Sequence, residues 1–377
     1  MREIVIVGGS VAAVTAADAL RQFGHDGPIT VLSAESHAPY VRPPLSKAVL
    51  KGAEEPESVR IAGAGEHWTL RLDAPARGLD RQRKRVLLGD DEEVPYDGLV
   101  IATGARARRL LPDGSEHVVR DLDDSLRLRE RIGDARSMLV IGGGFLGMEI
   151  ASSARDLGLE VTVVDMIPHL ERQFGPYLAA HMTAAAAARG VRLVVEPGGI
   201  EFLDARPLAG VRAASGAVYE ADIVVSAVGD LPNVEWLAGA GLDLPTGIET
   251  DARCRVAPDI VAIGDVAAVL DARTGQARRS PHWGAAIDQA RVAAGALLLG
   301  DAAEEYASRP YFWTDQWGLD MKICGAIGTA RPEFLEGSLE DGQALIRFRD
   351  DAGPVAAVSV NRRVPIPRLR KLAAGLA

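Results

Sequence analysis

Between Gly142 and Gly147 the chain reads G-x-G-x-x-G, and Asp165 stands 23 residues after the first glycine (165 − 142). That spacing belongs to dinucleotide binding. The first glycine permits a tight turn, the second lets a pyrophosphate approach the backbone, and the third lets helix pack on strand. The acid accepts hydrogen bonds from the adenosine ribose and repels a 2′-phosphate; Met166 and Ile167 follow it rather than an arginine, which favours NADH over NADPH. A looser copy opens the chain. Gly8, Ser10 and Ala13 stand where Gly142, Gly144 and Gly147 do, and Glu35 lies 27 residues after Gly8 (35 − 8). Each fragment alone also has a plainer reading, as a small-residue turn or as an acid capping its own loop. Lys47 is a third candidate. It is one of only five lysines and sits in "YVRPPLSKAVLKG" (40–52), where Pro43 and Pro44 reduce the entropy lost in fixing the loop.

These residues need elements to place them. The stretch 4–24, "IVIVGGSVAAVTAADALRQFG", aligns without gaps on 138–158, "MLVIGGGFLGMEIASSARDLG". Each is a short apolar run, a small-residue turn and a helical period ending at glycine, and each leads to a further strand ending near an acid. Such runs suit parallel strands buried on both faces. Two β-α-β units predict two nucleotide-binding domains. "YDGLVIATGA" (96–105), "ADIVVSAVGDLPN" (221–233) and "PDIVAIGDVA" (258–267) read as further buried strands with small turns, and residues 71–98 as a charged antiparallel meander. Asp265 is expected where a strand meets a helix N-terminus. After about residue 308, alternation in "QALIRFRD" and "PVAAVSVN" predicts a separate domain. The final stretch "NRRVPIPRLRKLAAGLA" carries Arg362, Arg363, Arg368, Arg370 and Lys371, and Pro365 and Pro367 make most of it a poor helix, which predicts an extended tail or edge. The fold class expected is α/β, with two Rossmann-like domains and a C-terminal α+β domain.

Composition bounds the rest. With 377 residues, 47% hydrophobic and 25% charged, the chain is an ordinary globular one of two or three domains. A net charge of −10 argues against nucleic-acid partners. Cys254 and Cys324 are the only cysteines and form no C-x-x-C, which excludes a disulfide framework, a four-thiolate cluster and a zinc ribbon from one chain. No metal site is expected. The opening "MREIVIVGG" leaves no room for a signal peptide, and the longest uncharged run (173–188) is too short to span a bilayer. A reducing cytoplasm is the expected compartment.

"RPPLSK", "ATGA", "VGDLPN", "AIGDVA", "PHWGAAIDQARVAA" and "YFWTDQWG" occur in an order that resembles the FAD-dependent NADH:ferredoxin and rubredoxin reductases, flavoproteins that serve Rieske oxygenases and cytochromes P450. The resemblance spans essentially the whole chain. It implies a glutathione-reductase-like fold: an FAD domain (1–109 and 230–308) interrupted by an NAD domain (110–229) and followed by a C-terminal domain (309–377). It implies FAD on Gly8, Ser10, Ala13, Glu35, Lys47, Ala76, Arg120, Asp265 and Trp283. NAD would lie on Gly142, Gly144, Gly147, Glu149, Asp165 and Gly229, and Ala12, Arg42, Thr103, Gly104, Leu146 and Gly264 complete the cofactor-binding set. It puts Lys47 beside the flavin N5, paired with Glu149, and Trp313 on the outer flavin face, where core packing is the competing role.

The implied partner is a small iron–sulfur electron carrier, with no nucleic acid and no membrane, for a monomer or weak homodimer. Two departures stand out: Trp317 replaces the family's usual tyrosine, and Arg172 falls one place short of an arginine position that Gln173 occupies. Dithiol flavoproteins and single-cysteine peroxidases are disfavoured, because residues 36–50 contain no cysteine. A quinone or monodehydroascorbate-type reductase and an NADH-sensing scaffold are the alternatives.

Overall fold

The structure, a computed structural model, describes residues 1–204, 207–242, 244–272 and 274–376. The chain divides into two compact units. The first comprises Met1–Val41, Val59–Arg106 and Leu231–Pro310; the second comprises Arg42–Ser58, Ala107–Asp230 and the chain from Tyr311.

The first unit is built on a six-stranded sheet. Its order is Arg255–Ala257, Ile260–Ala262, Gly98–Ile101, Ile4–Val7, Ile29–Leu32 and Thr69–Arg71. All neighbours run parallel except Arg255–Ala257 at the edge. The central strand Ile-Val-Ile-Val is buried on both faces, as its unbroken apolar run requires. Helices Val11–Gln22 and Trp283–Leu299 meet through alanines, among them Ala13, Ala16, Ala17, Ala290, Ala293 and Ala294, all fully buried. The expected meander is present as Gly78–Asp80, Arg85–Leu87 and Glu93–Pro95.

The second unit repeats the design with a four-stranded parallel sheet in the order Arg192–Val195, Glu160–Asp165, Ser137–Ile141, Ile223–Ser226. Helix Phe145–Asp156 follows the glycine turn, and Leu122–Ile132 starts with a capping box of Asp121 and Asp124. Helix Glu171–Ala188 departs from helical geometry at Gly175, whose φ is 68°. A Cβ there would lie 2.0 Å from the Gly328 carbonyl oxygen, so the bend comes from a backbone-to-backbone approach. A three-stranded antiparallel sheet, Ile200–Phe202, Gly210–Ala213, Val218–Glu220, follows, and the chain from Tyr311 forms a five-stranded antiparallel sheet, Tyr311–Gln316, Leu319–Gly325, Gly353–Val360, Gln343–Asp350, Arg331–Ser338, with helix Ile366–Ala373 packed against it.

That helix corrects the expectation of an extended tail. Pro365 and Pro367 fall at the N-cap and within the first turn, where a missing N–H costs nothing, so they start a helix instead of preventing one. Leu369 is fully buried with Cys324, Leu345, Ala357 and Val364. The basic side chains are partly neutralised: Arg362 and Arg368 both bind the Glu336 carboxylate. Leu369→Ala should therefore destabilise the protein by about 2–5 kcal/mol in chemical denaturation, whereas Arg363→Ala, at an exposed position, should change stability little.

Candidate functional site

In the first unit the expected residues gather at the carboxyl ends of the parallel strands, where open α/β sheets bind ligands. Gly8 follows Ile4–Val7, Glu35 follows Ile29–Leu32, Thr103 and Gly104 follow Gly98–Ile101, and Gly264 follows Ile260–Ala262. Gly8 adopts φ 128°, and a Cβ there would lie 2.1 Å from the Ala102 carbonyl oxygen. Only glycine permits that turn. Helix Val11–Gln22 begins with no side-chain cap and no acid in its first turn, which leaves its positive end suited to an anion. Ala12 and Ala13 lie in that turn, and Ala12 packs beside Gly264. Glu35 accepts from the Tyr40 hydroxyl at 2.5 Å.

Two residues that sequence reasoning passed over hold these turns. Gln289, fully buried, accepts from the Gly264 N–H at 2.8 Å, and Asn233 exchanges hydrogen bonds with Thr103 at 2.9 Å each way. Both lie inside quoted motifs, "PHWGAAIDQARVAA" and "VGDLPN", but polar type alone did not mark them. Asp265 sits in a one-turn 3-10 segment, Gly264–Val266, that runs into strand Ala267–Asp271; it does not open an α-helix. The long helix begins only at Trp283, after His282. Ala76 lies half-buried in a loop.

In the second unit the full fingerprint has the same construction. Gly142 adopts φ 104° with the Ala227 carbonyl 2.4 Å from its absent Cβ, and a Cβ on Gly147 would fall 1.9 Å from the Gly142 carbonyl. Helix Phe145–Asp156, with Leu146 in its first turn, again lacks a side-chain cap and a first-turn acid. Both turns thus fit a pyrophosphate. Gly229, at φ 99°, has open space where a Cβ would be. Asp165 accepts from the Gly143 N–H at 2.6 Å and from Met166 N–H at 2.6 Å, so it shapes the glycine loop. Oδ1 also accepts from the Ile167 N–H at 3.3 Å, so Oδ2, with a single bond, is the oxygen that keeps acceptor capacity for a ribose hydroxyl. His169 and Leu170 strap the same loop: the His169 ring fills the space beside Gly143, and Leu170 N–H donates to the Gly143 carbonyl at 2.9 Å. Gln173, at the arginine position of the resemblance, puts its amide nitrogen 3.1 Å from where a Gly144 Cβ would be, while Arg172 is exposed.

Lys47 and Glu149 are brought together, the nitrogen 2.5 Å from Glu149 Oε2, with side chains 17% and 8% exposed. Helix Phe145–Asp156 supplies Glu149, and a 3-10 turn over Pro43–Ser46 delivers Lys47. The turn is fastened by side chains from two helices: Ser125 donates to the Leu45 carbonyl and Ser153 to the Ser46 carbonyl, both at 2.7 Å. Glu149 also accepts from Ser46 Oγ and Thr314 Oγ1, each at 2.7 Å. Arg42 donates to the Arg120 carbonyl at 2.7 Å. Trp313 is not part of this cluster. Strand alternation turns it to the face opposite Thr314, where its ring stacks on Tyr311 at 5.8 Å. Trp317 is buried in a hairpin turn at φ 59°, held by its N–H donating to Ser152 Oγ at 2.9 Å.

The profile of the pyridine nucleotide-disulphide oxidoreductases matches residues 2–290. The chain belongs to that family. It is 35% identical to the ferredoxin–NAD(+) reductase component of the anthranilate 1,2-dioxygenase system of Burkholderia cepacia, covering 98% of this chain and 93% of that protein. It is 36% identical to rhodocoxin reductase of Rhodococcus erythropolis, covering 90% and 82%. Among solved structures, the ferredoxin reductase of the CYP199A2 system from Rhodopseudomonas palustris superposes with a TM-score of 0.88 at 33% identity, covering 96% and 92%. No helix among the described residues is long and apolar enough to cross a membrane.

Burial holds three imidazoles of the second unit, His117, His169 and His181, below the ordinary histidine range. The folded protein favours their neutral form, whereas the unfolded chain takes up their protons near pH 6.5. Their stabilising contribution is complete above that value and is lost as pH falls below it. Denaturation midpoints should drop between about pH 7 and pH 5, and His169→Phe should flatten part of that slope.

Proposed function

We propose that the chain is an FAD-containing NADH:ferredoxin reductase, passing electrons from NADH to a small iron–sulfur carrier that serves an oxygenase or cytochrome P450. FAD, when bound, supplies the conversion of a hydride equivalent into single electrons. The chain's own residues position and tune it. Gly8, Ser10, Ala12 and Ala13 form the turn for the FAD pyrophosphate, Glu35 the ribose acceptor, and Asp265 and Trp283 further contacts. Gly142, Gly144, Leu146 and Gly147 receive the NADH pyrophosphate, and Asp165 its ribose. Lys47, held by Glu149, is the positive group at the flavin N5, and Trp313 shields the flavin's outer face.

The observation that carries this reading is the built-in Lys47–Glu149 pair in a chain whose two thiols are both buried. A dithiol reductase needs reactive sulfur beside the flavin, and both thiols here are buried; the Lys47–Glu149 pair supplies a positioned charge for the reduced ring. We further propose a cytoplasmic location and a monomer or weak homodimer.

The purified protein should be yellow, with one FAD per chain and no iron or zinc. Under anaerobic conditions NADH should reduce it, and turnover should follow with at least one carrier from a panel of [2Fe–2S], [3Fe–4S] and rubredoxin proteins. Turnover with quinones alone would overturn the assignment. Asp165→Ala, which loses a charged acceptor worth roughly 1.5–3 kcal/mol, should weaken NADH binding by about tenfold or more and narrow the preference over NADPH. Equal kcat/KM for both nucleotides in the parent protein would contradict the role of Asp165.

A further inference from the structure

The geometry points to Thr314 and Gln316 as the positioning pair that pins Glu149 at Oε1 and so holds the Lys47 ammonium at Oε2 in place; this rests on Lys47 being the charge that faces the flavin. Both side chains come from strand Tyr311–Gln316 of the C-terminal sheet and are fully buried, Thr314 at 0% and Gln316 at 1% exposure.

The argument turns on which atoms have hydrogens to give. Gln316 Nε2 can only donate, and it donates to Thr314 Oγ1 at 2.9 Å. The Thr314 hydroxyl hydrogen must then point away from Gln316, and Glu149 Oε1, 2.7 Å off, receives it. On the other oxygen, Oε2 receives the Ser46 hydroxyl at 2.7 Å and the Lys47 ammonium, which has no lone pair with which to accept. Glu149 is therefore an acceptor at both oxygens and at three bonds. A carboxylate gripped at one oxygen by a hydroxyl cannot rotate to follow a moving lysine. The ammonium is accordingly fixed between Glu149 Oε2 and the Pro43 carbonyl, 3.2 Å away. Its third N–H has no partner among the described residues, and this is the one available to the ligand.

The arrangement has a cost that marks it as more than packing. Gln316 Oε1 is buried with no hydrogen-bond partner. Turning the amide over would give Oε1 the Thr314 hydroxyl hydrogen, at the cost of the bond to Glu149 and of a buried amide nitrogen left without an acceptor. Buried unpaired acceptors are rare, and they persist where the surrounding structure gains from the orientation they impose.

The test compares Thr314→Val, which keeps the shape and removes the hydroxyl, with Thr314→Ser, which restores it. The chain has five lysines, so 15N-lysine labelling gives five side-chain signals, and Lys47→Met identifies one of them. In the FAD-loaded parent the Lys47 ammonium should exchange slowly with solvent. In Thr314→Val it should exchange about tenfold faster or more, and the anaerobic rate of flavin reduction by NADH should fall by about the same factor, with the KM for NADH unchanged. Thr314→Ser should recover both. Gln316→Glu, whose carboxylate would take the Thr314 hydroxyl hydrogen for itself, should mimic Thr314→Val and tests the same point should that variant fail to fold. Parent-like lysine exchange and reduction rate in folded Thr314→Val or Gln316→Glu would overturn the inference. If instead Lys47→Met reduces as fast as the parent, the reading of Lys47 at the flavin fails, while the exchange measurement still decides whether Thr314 holds it.

Discussion

A carboxylate removed from water loses hydration that only nearby donors can replace. Glu149 is 6% exposed, and its replacement donors come from two segments far apart in sequence: the turn over Pro43–Ser46 with Lys47, and strand Tyr311–Gln316. That single requirement binds them. It accounts for the segment Arg42–Ser58 packing with the second unit instead of with the residues that flank it in sequence. It also accounts for the side chains spent on fastening the turn, Ser125 and Ser153, and for the strained hairpin at Trp317 anchored on Ser152. Removing one donor from such a cluster leaves the rest buried and under-satisfied, so the cluster acts as a unit.

The two β-α-β units obey a second constraint, the separation between backbones. Gly8 and Gly142 each turn beneath a neighbouring carbonyl, of Ala102 and Ala227, with no room for a side chain. This equivalence is stronger than the sequence match, because the flanking glycines differ: Ser10 stands for Gly144 and Ala13 for Gly147. The second unit crosses its helix closer to the turn, as the 1.9 Å approach at Gly147 requires. The first unit instead carries the Ala13 methyl, fully buried, at the corresponding place. Both helices present uncapped amino ends, which is where a phosphate acts as the missing cap.

Strands and glycine turns were legible because their signals are local: an apolar run, a small residue, a period. The pairing of Lys47 with Glu149 came only through family resemblance, since 102 residues separate them and no spacing rule spans that distance. Gln289, Asn233 and Thr314 were invisible for the same reason: each acts on a partner at least 25 residues away. The C-terminal helix was misjudged for a different one. Proline was weighed as a helix breaker when its position made it a helix starter, and Leu369 and Leu372 lie on a face whose partner, the antiparallel sheet, appears only in three dimensions.

The family name mentions a disulphide, and the placement of the two cysteines bears on that chemistry as strongly as their number. A thiol attacks or exchanges as its thiolate. Burial, with Asp251 adding to it, pushes the Cys254 thiol far up, and burial pushes Cys324 up to about 11. Cys254 packs among the core side chains of the first unit and Cys324 among those of the C-terminal sheet. Neither sulfur can ionise at neutral pH without first leaving its core, which would uncover apolar surface and open a cavity. The scaffold thus keeps both sulfurs out of reach as nucleophiles and spends its buried ion pair on Lys47 and Glu149.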